Sequence, residues 1–386
     1  MTFPARGFPK SEFESRTRRA QAAMAEQGLS AILLTTEPDI RYFTGFLTRF
    51  WESPTRPWYL VLPASGQPIA VIPSIGAALM ASTWISDIRT WRAPDLTDDG
   101  IGLLADTLIE VAGATGRIGT PMGHETLARM PLSDLKRLEG LLSPRVLSDD
   151  GWIVKRQRQI KSSAEIDKIE TACRIADRAF ARLPEIVQVG VPLADVFRKF
   201  QILCLEEGAD WVPYLAGGAG QGGYADVISP ATETPLAAGD ILMLDTGLVW
   251  DGYFCDFDRN VAVERADAAS MAAHATLIEA VDAAMAIAKP GARACDLFHA
   301  MDRIVTGGAG GSDAGRLGHG LGMQLTEVPS LIPADTTELA DGMVLTLEPG
   351  IETGGGRIMV HEENIVVTAD GARMLSTPCG PDLRVI

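Results

Sequence analysis

The sequence predicts an α+β protein of two domains, a smaller α/β domain over residues 1–154 and a larger one over residues 155–386. Three observations support this division. A chain of 386 residues exceeds the size that one ordinary hydrophobic core can organise. Short apolar runs alternate with helical patterns in the first part of the chain. Beyond them a helix-capping signal begins a new helix, and glycine-rich loops then separate stronger strand candidates.

The first domain shows strand and helix signals in alternation. Apolar runs at residues 31–35, 58–62 and 68–73 predict strands, and the last of these is bounded by two prolines. Residues 15–27 have a helical pattern that a glycine closes, and residues 100–113 have another between two glycines. The alternation predicts an α/β domain that ends near residue 150.

The second domain begins at a helix start. Ser162, followed three residues later by Glu165, predicts a capping box, and apolar residues then recur at helical spacing. Further helices are predicted at residues 193–207 and 268–288.

Composition and charge exclude several functional classes. The net charge of −16 and the lack of a basic stripe argue against nucleic-acid binding, which depends on neutralising phosphates. The chain has no uninterrupted apolar run of about 20 residues and no secretory signal, so we expect no membrane partner. Its five cysteines lack paired spacing, which predicts buried thiols in a reducing compartment. A cytoplasmic location is therefore expected.

A hairpin carries the densest set of acidic residues. An Asp-Gly pair separates apolar runs at residues 240–250 and 253–261 and predicts a two-residue turn. That register sets Asp245 opposite Asp258 and brings Asp256 to the same face. Three carboxylates so close together repel one another unless they bind protons or a cation. Because the flanking residues are apolar, a cation site is favoured over a solvated acidic hairpin.

Further candidate ligands follow along the chain. His319 lies in a Gly-His-Gly motif, which is a weak signal alone, and Glu348 ends an apolar strand before Pro-Gly. Glu362 and Glu363 lie in an apolar run at residues 357–367, where unpaired charges are costly. Neighbours on a strand point to opposite faces, so only one of the two glutamates can join a given site. Spacing alone does not choose between them.

Together, Asp245, Asp256, His319, Glu348 and Glu362 resemble the metal-ligand pattern of the pita-bread metallopeptidases. That family includes methionine aminopeptidase, aminopeptidase P and prolidase, with creatinase as a metal-free relative. The likeness covers the second domain, and the first is similar to the N-terminal domain of the creatinase and prolidase branch. The resemblance implies a pita-bread domain preceded by a creatinase-like α/β domain.

The resemblance also implies a dinuclear metal centre of Mn, Fe, Co or Zn. Asp245 would bind one ion, Asp256 and Glu362 would bridge both, and His319 and Glu348 would complete the other ion. It selects Glu362 over the next glutamate because the following Ile-Val-Val-Thr matches the family's closing strand. The implied activity is that of an Xaa-Pro dipeptidase or aminopeptidase P, in which metal-bound hydroxide cleaves a dipeptide-like or other small amide. A homodimer is implied as well.

The chain departs from the peptidase pattern at several positions. Thr326 stands where the peptidases carry a second histidine, seven residues after His319, and becomes a candidate catalytic residue. The stretch that begins at Tyr224, a candidate substrate-binding residue, lacks the family's substrate histidine. Asp258 replaces a threonine and Val360 an arginine. These changes put standard aminopeptidase chemistry in question.

Three functions therefore stay open. In a hydrolase, the preferred one, Glu327 or Glu348 would carry the proton. The C-terminal motifs, among them Met-Val-His-Glu-Glu-Asn, are also similar to dimethylsulfoniopropionate lyases of this fold. In such a lyase Asp258 would be the base. A binding protein without catalysis is the third, although such relatives typically lose the metal ligands that this chain keeps.

An aromatic and basic segment in the first domain offers further candidates. Residues 46–58 either pack as a loop on their own core or form a wall of the partner's active site in a homodimer. In the second case Arg49 and Arg56 would bind a substrate carboxylate. His361, next to a candidate ligand, is expected to face away from the metals and to be structural.

Overall fold

The computed structural model describes residues 3–53, 56–309 and 315–386. The chain divides into two compact units, Ala5–Arg158 and Gln159–Ile386, and the residues before Ala5 belong with the second. The sequence puts the domain boundary between residues 154 and 155.

The N-terminal unit is an α/β domain built on one six-stranded sheet. Its strands are β1 (Leu29–Leu34), β2 (Tyr59–Pro63), β3 (Ile69–Pro73), β4 (Asp87–Trp91), β5 (Arg117–Thr120) and β6 (Val146–Asp149). Its helices are α1 (Lys10–Gln27), α2 (Glu37–Thr44), α3 (Ala77–Ala81), α4 (Ile101–Ala112), α5 (Leu132–Leu142) and α6 (Ile153–Gln159), which ends at the division. The strand order is β4-β3-β2-β1-β5-β6, and the core lies between this sheet and helices α4 and α5.

The strongest local signals of this unit are confirmed. Helix α1 ends at Gln27 because Gly28 takes a left-handed conformation with φ of 67°. The three apolar runs form β1, β2 and β3, and the predicted helix between two glycines is α4. Strand β4 gave no apolar signal, since its side chains are half-buried or exposed.

Over the residues that the structure describes, the C-terminal unit contains two five-stranded sheets and one small hairpin. Its strands are β7 (Trp211–Gln221), β8 (Asp240–Trp250), β9 (Tyr253–Phe254), β10 (Phe257–Ala262), β11 (Gly318–Gly320), β12 (Glu327–Ser330), β13 (Val344–Leu347), β14 (Gly350–Gly354), β15 (Arg357–Val360), β16 (Glu363–Thr368), β17 (Gly371–Met374) and β18 (Arg384–Val385). One sheet has the order β18-β10-β8-β7, with β9 paired to β8, and the other β12-β11-β13-β16-β17. Strands β14 and β15 pair separately.

In the described part of this unit, four helices cover these sheets: α7 (Ser163–Ala181), α8 (Leu193–Glu206), α9 (Ala268–Ile287) and α10 (Ala294–Val305). Helices α7 and α8 contact β8 and β7, and the predicted capping box of Ser162 and Glu165 begins α7. Helices α9 and α10 bury apolar side chains against β13 and β16.

Helix α9 is, among the described residues, the one helix whose length and composition would allow it to cross a membrane. Its sequence includes Glu279 and Asp282. Leu277, Val281 and Ala284 of this helix are buried in the core of the unit. Packing against two neighbouring layers accounts for a helix of this apolar composition.

The predicted acidic hairpin forms with the expected register. Asp251 and Gly252 both have positive φ, 48° and 80°, as a two-residue turn with this twist requires. Asp245 lies opposite Asp258 across β8 and β10. The second apolar run of the hairpin forms two strands, β9 and β10, with Cys255 and Asp256 between them.

A second predicted strand is also interrupted. The apolar run at residues 357–367 forms β15 and β16, which belong to different sheets, and His361 and Glu362 lie between them. The expectation of one continuous strand is therefore wrong. Strand structure is interrupted at both places where acidic residues stand in an apolar run, and each interruption contains a carboxylate of the site described below.

Candidate metal centre

Three carboxylates from separate segments meet in the interior of the C-terminal unit. Asp245 lies within β8, Asp256 in the break before β10, and Glu362 in the break between β15 and β16. One oxygen of each lies within 4.8 Å of the others, and all three residues are buried. Oxygens at this separation can share a cation.

Hydrogen bonds from neighbouring side chains hold both breaks in position. The N–H of Asp256 donates to Asn364 Oδ1 at 2.9 Å, and the Asn364 amide donates back to the carbonyl of Asp256. The N–H of Glu362 donates to Asp258 Oδ1 at 3.0 Å. These bonds replace the ladder pairs that the strands lose at the breaks.

His319 directs one ring nitrogen at the carboxylates. Its Nδ1 lies 2.8 Å from the carbonyl of Gly320, which only accepts hydrogen bonds, so Nδ1 carries the proton. The lone pair of Nε2 then faces Asp256 Oδ2 at 3.3 Å and Glu348 Oε2 at 3.7 Å. Gly320 allows this close approach, because a Cβ there would lie 2.3 Å from the carbonyl oxygen of Val328.

The electrostatics of the cluster require a cation or protons. Burial raises the pKa of Asp245, Asp256 and Glu362 well above the ordinary carboxyl range, and the charge of Asp258 adds to the rise. Burial likewise raises the pKa of Glu348 to about 7. Among the described residues, Asp245 Oδ1, Asp258 Oδ2 and Glu362 Oε2 are buried oxygens without a hydrogen-bond partner. Carboxylate oxygens in this state, with one imidazole nitrogen, fit divalent cations such as Mn²⁺, Fe²⁺, Co²⁺ or Zn²⁺.

Tyr214 on β7 is a site residue that the sequence did not reveal. Its hydroxyl hydrogen-bonds the Asp245 carboxyl, which lowers the pKa of that carboxyl against the effect of burial. Burial first, and then the charge of Asp245, raises the pKa of Tyr214. The contact arises because β7 pairs with β8. No local sequence pattern predicts this pairing.

Asp258 faces a buried polar network. The ring of His361 lies 3.2 Å from Asp258 Oδ1 through Nδ1 and 3.3 Å from Glu363 Oε1 through Nε2. Arg259 donates to Glu363 Oε2 at 3.1 Å, and together with His361 it outweighs the effect of burial and lowers the pKa of Glu363 to about 2. Asp258 has no exposed surface, which disagrees with its predicted role as a substrate base. His361 lies in this network, as a structural residue would.

Glu327 is engaged away from the metal ligands. Lys161 donates to its Oε2 at 3.1 Å, and the N–H groups of Met323 and Gln324 donate to its Oε1 at 3.0 and 3.2 Å. A carboxylate held by an ammonium group and two amides is a poor proton acceptor. These contacts disagree with the predicted proton-transfer role of Glu327 and leave Glu348 for that role.

Tyr224 is not exposed to a substrate. Its side chain is buried, and its hydroxyl accepts from the N–H of Val360 at 2.6 Å and contacts Asn260 Oδ1 at 3.3 Å. The hydroxyl is thus used in joining β15 to β10. This disagrees with the predicted substrate-binding role, which had no support beyond the position of Tyr224 in the chain.

Arg316 is a second site residue that the sequence did not reveal. Its Nε lies 3.5 Å from Glu348 Oε1, and its Nη2 lies 3.5 Å from the hydroxyl of Thr326. The positive charge opposes the effect of burial and lowers the pKa of both Asp256 and Glu348. The predicted catalytic candidate Thr326 therefore contacts a cation beside the metal ligands.

The predicted arginines of the N-terminal unit have local partners. Arg49 pairs with Glu52 at 3.0 Å on an exposed turn. The carbonyl of Arg56 accepts from Arg129 at 2.9 Å. Residues 54 and 55 of the same segment lie outside the described residues. Substrate binding by the two arginines stays a prediction.

Comparisons with known proteins agree with this geometry. Residues 167–369 match the model of metallopeptidase family M24, and residues 16–160 match that of the creatinase/prolidase N-terminal domain. A probable dipeptidase, PepE, of Mycobacterium tuberculosis is 30% identical over 386 residues, 99% of this chain and 98% of the relative. An Xaa-Pro dipeptidase of Pyrococcus furiosus is 29% identical over 275 residues, 70% of this chain and 76% of the relative.

A solved structure extends the likeness to three dimensions. Dipeptidase PepE from Mycobacterium ulcerans matches with a TM-score of 0.84 and 26% identity, covering 98% of this chain and 99% of the other. The predicted pita-bread domain and creatinase-like N-terminal domain are thus confirmed. The buried ligand cluster, the family match over more than half of the chain and the near full-length relatives lead to one conclusion: this chain is a metal-dependent hydrolase of metallopeptidase family M24.

Proposed function

We propose that this protein is a dinuclear-metal dipeptidase that hydrolyses the amide bond of a dipeptide. The observation that carries the proposal is the buried cluster of carboxylates with unpaired oxygens beside the His319 nitrogen. A relative over nearly the whole chain is named a probable dipeptidase, and another is named an Xaa-Pro dipeptidase. Both names support a dipeptide as substrate.

Two divalent ions, drawn from Mn, Fe, Co and Zn, would be held by five residues. Asp245 would bind one ion, His319 and Glu348 the other, and Asp256 and Glu362 both. The separation of 4.8 Å or less among Asp245, Asp256 and Glu362 supports the bridging roles. The distance of 3.3 Å from His319 Nε2 to Asp256 supports a shared ion at that side.

Side chains of the protein would supply the functions that the metal ions do not. When bound, the ions would polarise the scissile carbonyl and lower the pKa of water. Glu348, whose side chain is 17% exposed, would take a proton and return it to the leaving amine. Tyr214 would hold Asp245 in orientation through its hydroxyl.

We also propose a cytoplasmic homodimer. All five cysteines are free thiols, and four of them are buried, as is usual in a reducing compartment. The dimer is a prediction from family resemblance, in which Arg49 and Arg56 of one subunit would reach the active site of the other. Sedimentation velocity measures the assembly directly, and a monomer at all concentrations would contradict it.

Metal binding should depend on pH in a defined direction. Because Glu348 has a pKa raised from 4.5 to about 7, the folded metal-free protein holds a proton that the unfolded chain releases at lower pH. Its contribution to stability is therefore complete below about pH 4.5 and lost as the pH rises to about 7. Cations bind ionised carboxylates. Bound metal therefore restores the stability that the metal-free protein loses as the pH rises. We expect the rise in Tm caused by Mn²⁺ to be larger at about pH 8 than at about pH 5. Differential scanning fluorimetry measures both values, and equal rises would contradict the argument.

The function is tested by substrate screening of the metal-loaded protein. Samples loaded with Mn²⁺, Fe²⁺, Co²⁺ or Zn²⁺ are incubated with a dipeptide panel that includes alanylproline, and released amino acids are quantified. We expect hydrolysis that a chelator abolishes and that returned metal restores. Release of dimethyl sulfide from dimethylsulfoniopropionate, without dipeptide cleavage, would replace the proposal with a lyase. Metal binding without either activity would favour a binding protein.

A further inference from the structure

Glu348 is the most exposed of the candidate ligands, and Arg316 lies beside it. The side chains of His319 and Asp256 are 3% and 5% exposed, whereas that of Glu348 is 17% exposed. The side chain of Arg316 next to Glu348 is 33% exposed. Thr326, which contacts Arg316, is half-buried. A substrate that reaches the ligands from solvent on this side therefore meets a guanidinium group.

The main chain next to Arg316 is fixed by the second sheet. The N–H of Leu317 donates to the carbonyl of Leu331 at 3.0 Å, and the carbonyl of Leu317 accepts from the N–H of Glu348 at 3.0 Å. The chain then enters β11 at Gly318. Arg316 lies two residues before this strand, and the hydroxyl of Thr326 lies 3.5 Å from the end of its side chain.

Other cations near the ligands are enclosed and fully engaged. Lys161, 2% exposed, pairs with Glu327, and Arg259, 10% exposed, pairs with Glu363. Arg316, by contrast, is 33% exposed, and its charge opposes the rise that burial causes in the pKa of Asp256.

Metal binding would make the surroundings of the guanidinium more favourable to an anion. In the proposed centre, two divalent ions would neutralise the four carboxylates, so Arg316 beside Glu348 would meet less negative charge than in the metal-free cluster. A guanidinium presents paired N–H donors that match the two oxygens of a carboxylate. In a dipeptide the terminal carboxylate is three bonds from the scissile carbonyl carbon, a separation of about 4 Å. Arg316 lies 3.5 Å from the candidate metal ligand Glu348. This separation is similar to the distance between the scissile carbonyl carbon and the terminal carboxylate of a dipeptide.

We propose that Arg316 binds the free carboxylate of a dipeptide and thereby limits the enzyme to two-residue substrates. The inference rests on the proposed dipeptidase function and deepens it. In a longer peptide the same position holds an uncharged amide, which cannot form the paired contact with a guanidinium. Thr326 acts as a positioning residue that holds the guanidinium through its hydroxyl.

The test compares each dipeptide with its C-terminal amide in matched variants. Arg316→Met removes the charge at similar length, Arg316→Lys keeps the charge without the paired donors, and Thr326→Val removes the hydroxyl. Arg198→Met is the control, because Arg198 is an exposed arginine on α8 paired with Asp195. Metal content is measured for every sample. Binding of a dipeptide in which CH2–NH replaces the scissile amide is measured by calorimetry, so that one readout is independent of catalysis.

The wild type and Arg198→Met should prefer the free dipeptide over its amide by about 10- to 100-fold in kcat/KM. Arg316→Met should raise KM for the dipeptide by a similar factor, leave the amide nearly unaffected and keep its metal. Its affinity for the CH2–NH analogue should fall in parallel, with smaller losses in Arg316→Lys and Thr326→Val. If Arg316→Met kept the preference for the free dipeptide over its amide, the proposed role of Arg316 would be wrong, and the proposed dipeptidase function would be unaffected. A metal-loaded wild type that cleaves no dipeptide would overturn the proposed function instead.

Discussion

Replacing Asp245 with alanine should abolish metal binding and lower kcat/KM by at least about 10³-fold. Loss of a residue that only orients a ligand typically costs 10- to 100-fold in metal affinity, and loss of the ligand itself should cost more. Asp245 is central because its oxygens contact both the carboxylate cluster and the hydroxyl of Tyr214. Plasma emission spectroscopy after dialysis measures the bound metal, with an expectation of about two ions per wild-type chain.

Two further variants separate loss of the site from loss of the fold. Asp195→Ala changes a half-buried aspartate on α8 and should keep the full metal content. Asp245→Asn keeps the side-chain shape and replaces a carboxyl whose ionised form is destabilised by burial and by the charges of Asp256 and Asp258. Without metal at about pH 8, it should therefore unfold at a higher urea concentration than the wild type. Full metal occupancy in Asp245→Ala would refute the assigned ligand set.

The second large effect is expected from Lys161→Met, which should lower the free energy of unfolding by about 3–5 kcal/mol. Lys161 and Glu327 form an ion pair at 3.1 Å with side chains only 2% and 5% exposed. Removing the ammonium group leaves a buried carboxylate whose other hydrogen bonds come from the N–H groups of Met323 and Gln324. Urea denaturation of the metal-free protein measures the loss.

A double variant tests the origin of that cost. In Lys161→Met/Glu327→Gln the carboxamide oxygen can still accept from both N–H groups, while the uncompensated charge is gone. The double variant should therefore be more stable than Lys161→Met alone. Lys199→Met, an exposed lysine on α8, should change stability by less than about 0.5 kcal/mol. A loss equally small in Lys161→Met would mean that the pair contributes nothing to stability.

Local sequence information was sufficient for the parts of the site within one hairpin. The Asp-Gly turn fixed the register, and the opposition of Asp245 and Asp258 followed from it. The interruption at Asp256 could not be predicted, because the bonds that hold it come from Asn364, more than 100 residues away. Glu362 depends in the same way on Asp258. For both residues, the decisive partner is distant in sequence and carries no periodic signal.

The same reason explains the missed and mistaken residues. Tyr214 becomes a site residue only when β7 pairs with β8. Arg316 becomes one only when its side chain lies beside Glu348. Glu327 was chosen for its position near the histidine motif, and its pairing with Lys161 links segments separated by 166 residues. Tyr224 was chosen from its position alone. Residue type and order predicted which carboxylates the fold brings together better than they predicted the groups that contact them.

The cluster joins chain segments from β8 to β16, so no ligand set exists until both sheets of the C-terminal unit have formed. Cations then bind the finished fold in preference to the unfolded chain, and the energy of binding adds to the energy of folding. A molecule made under metal starvation keeps its mutually repelling carboxylates and opens more often. Proteases act on such openings. The cellular lifetime of this protein should therefore follow the supply of its metal, and its abundance should fall in starved cells before transcription changes.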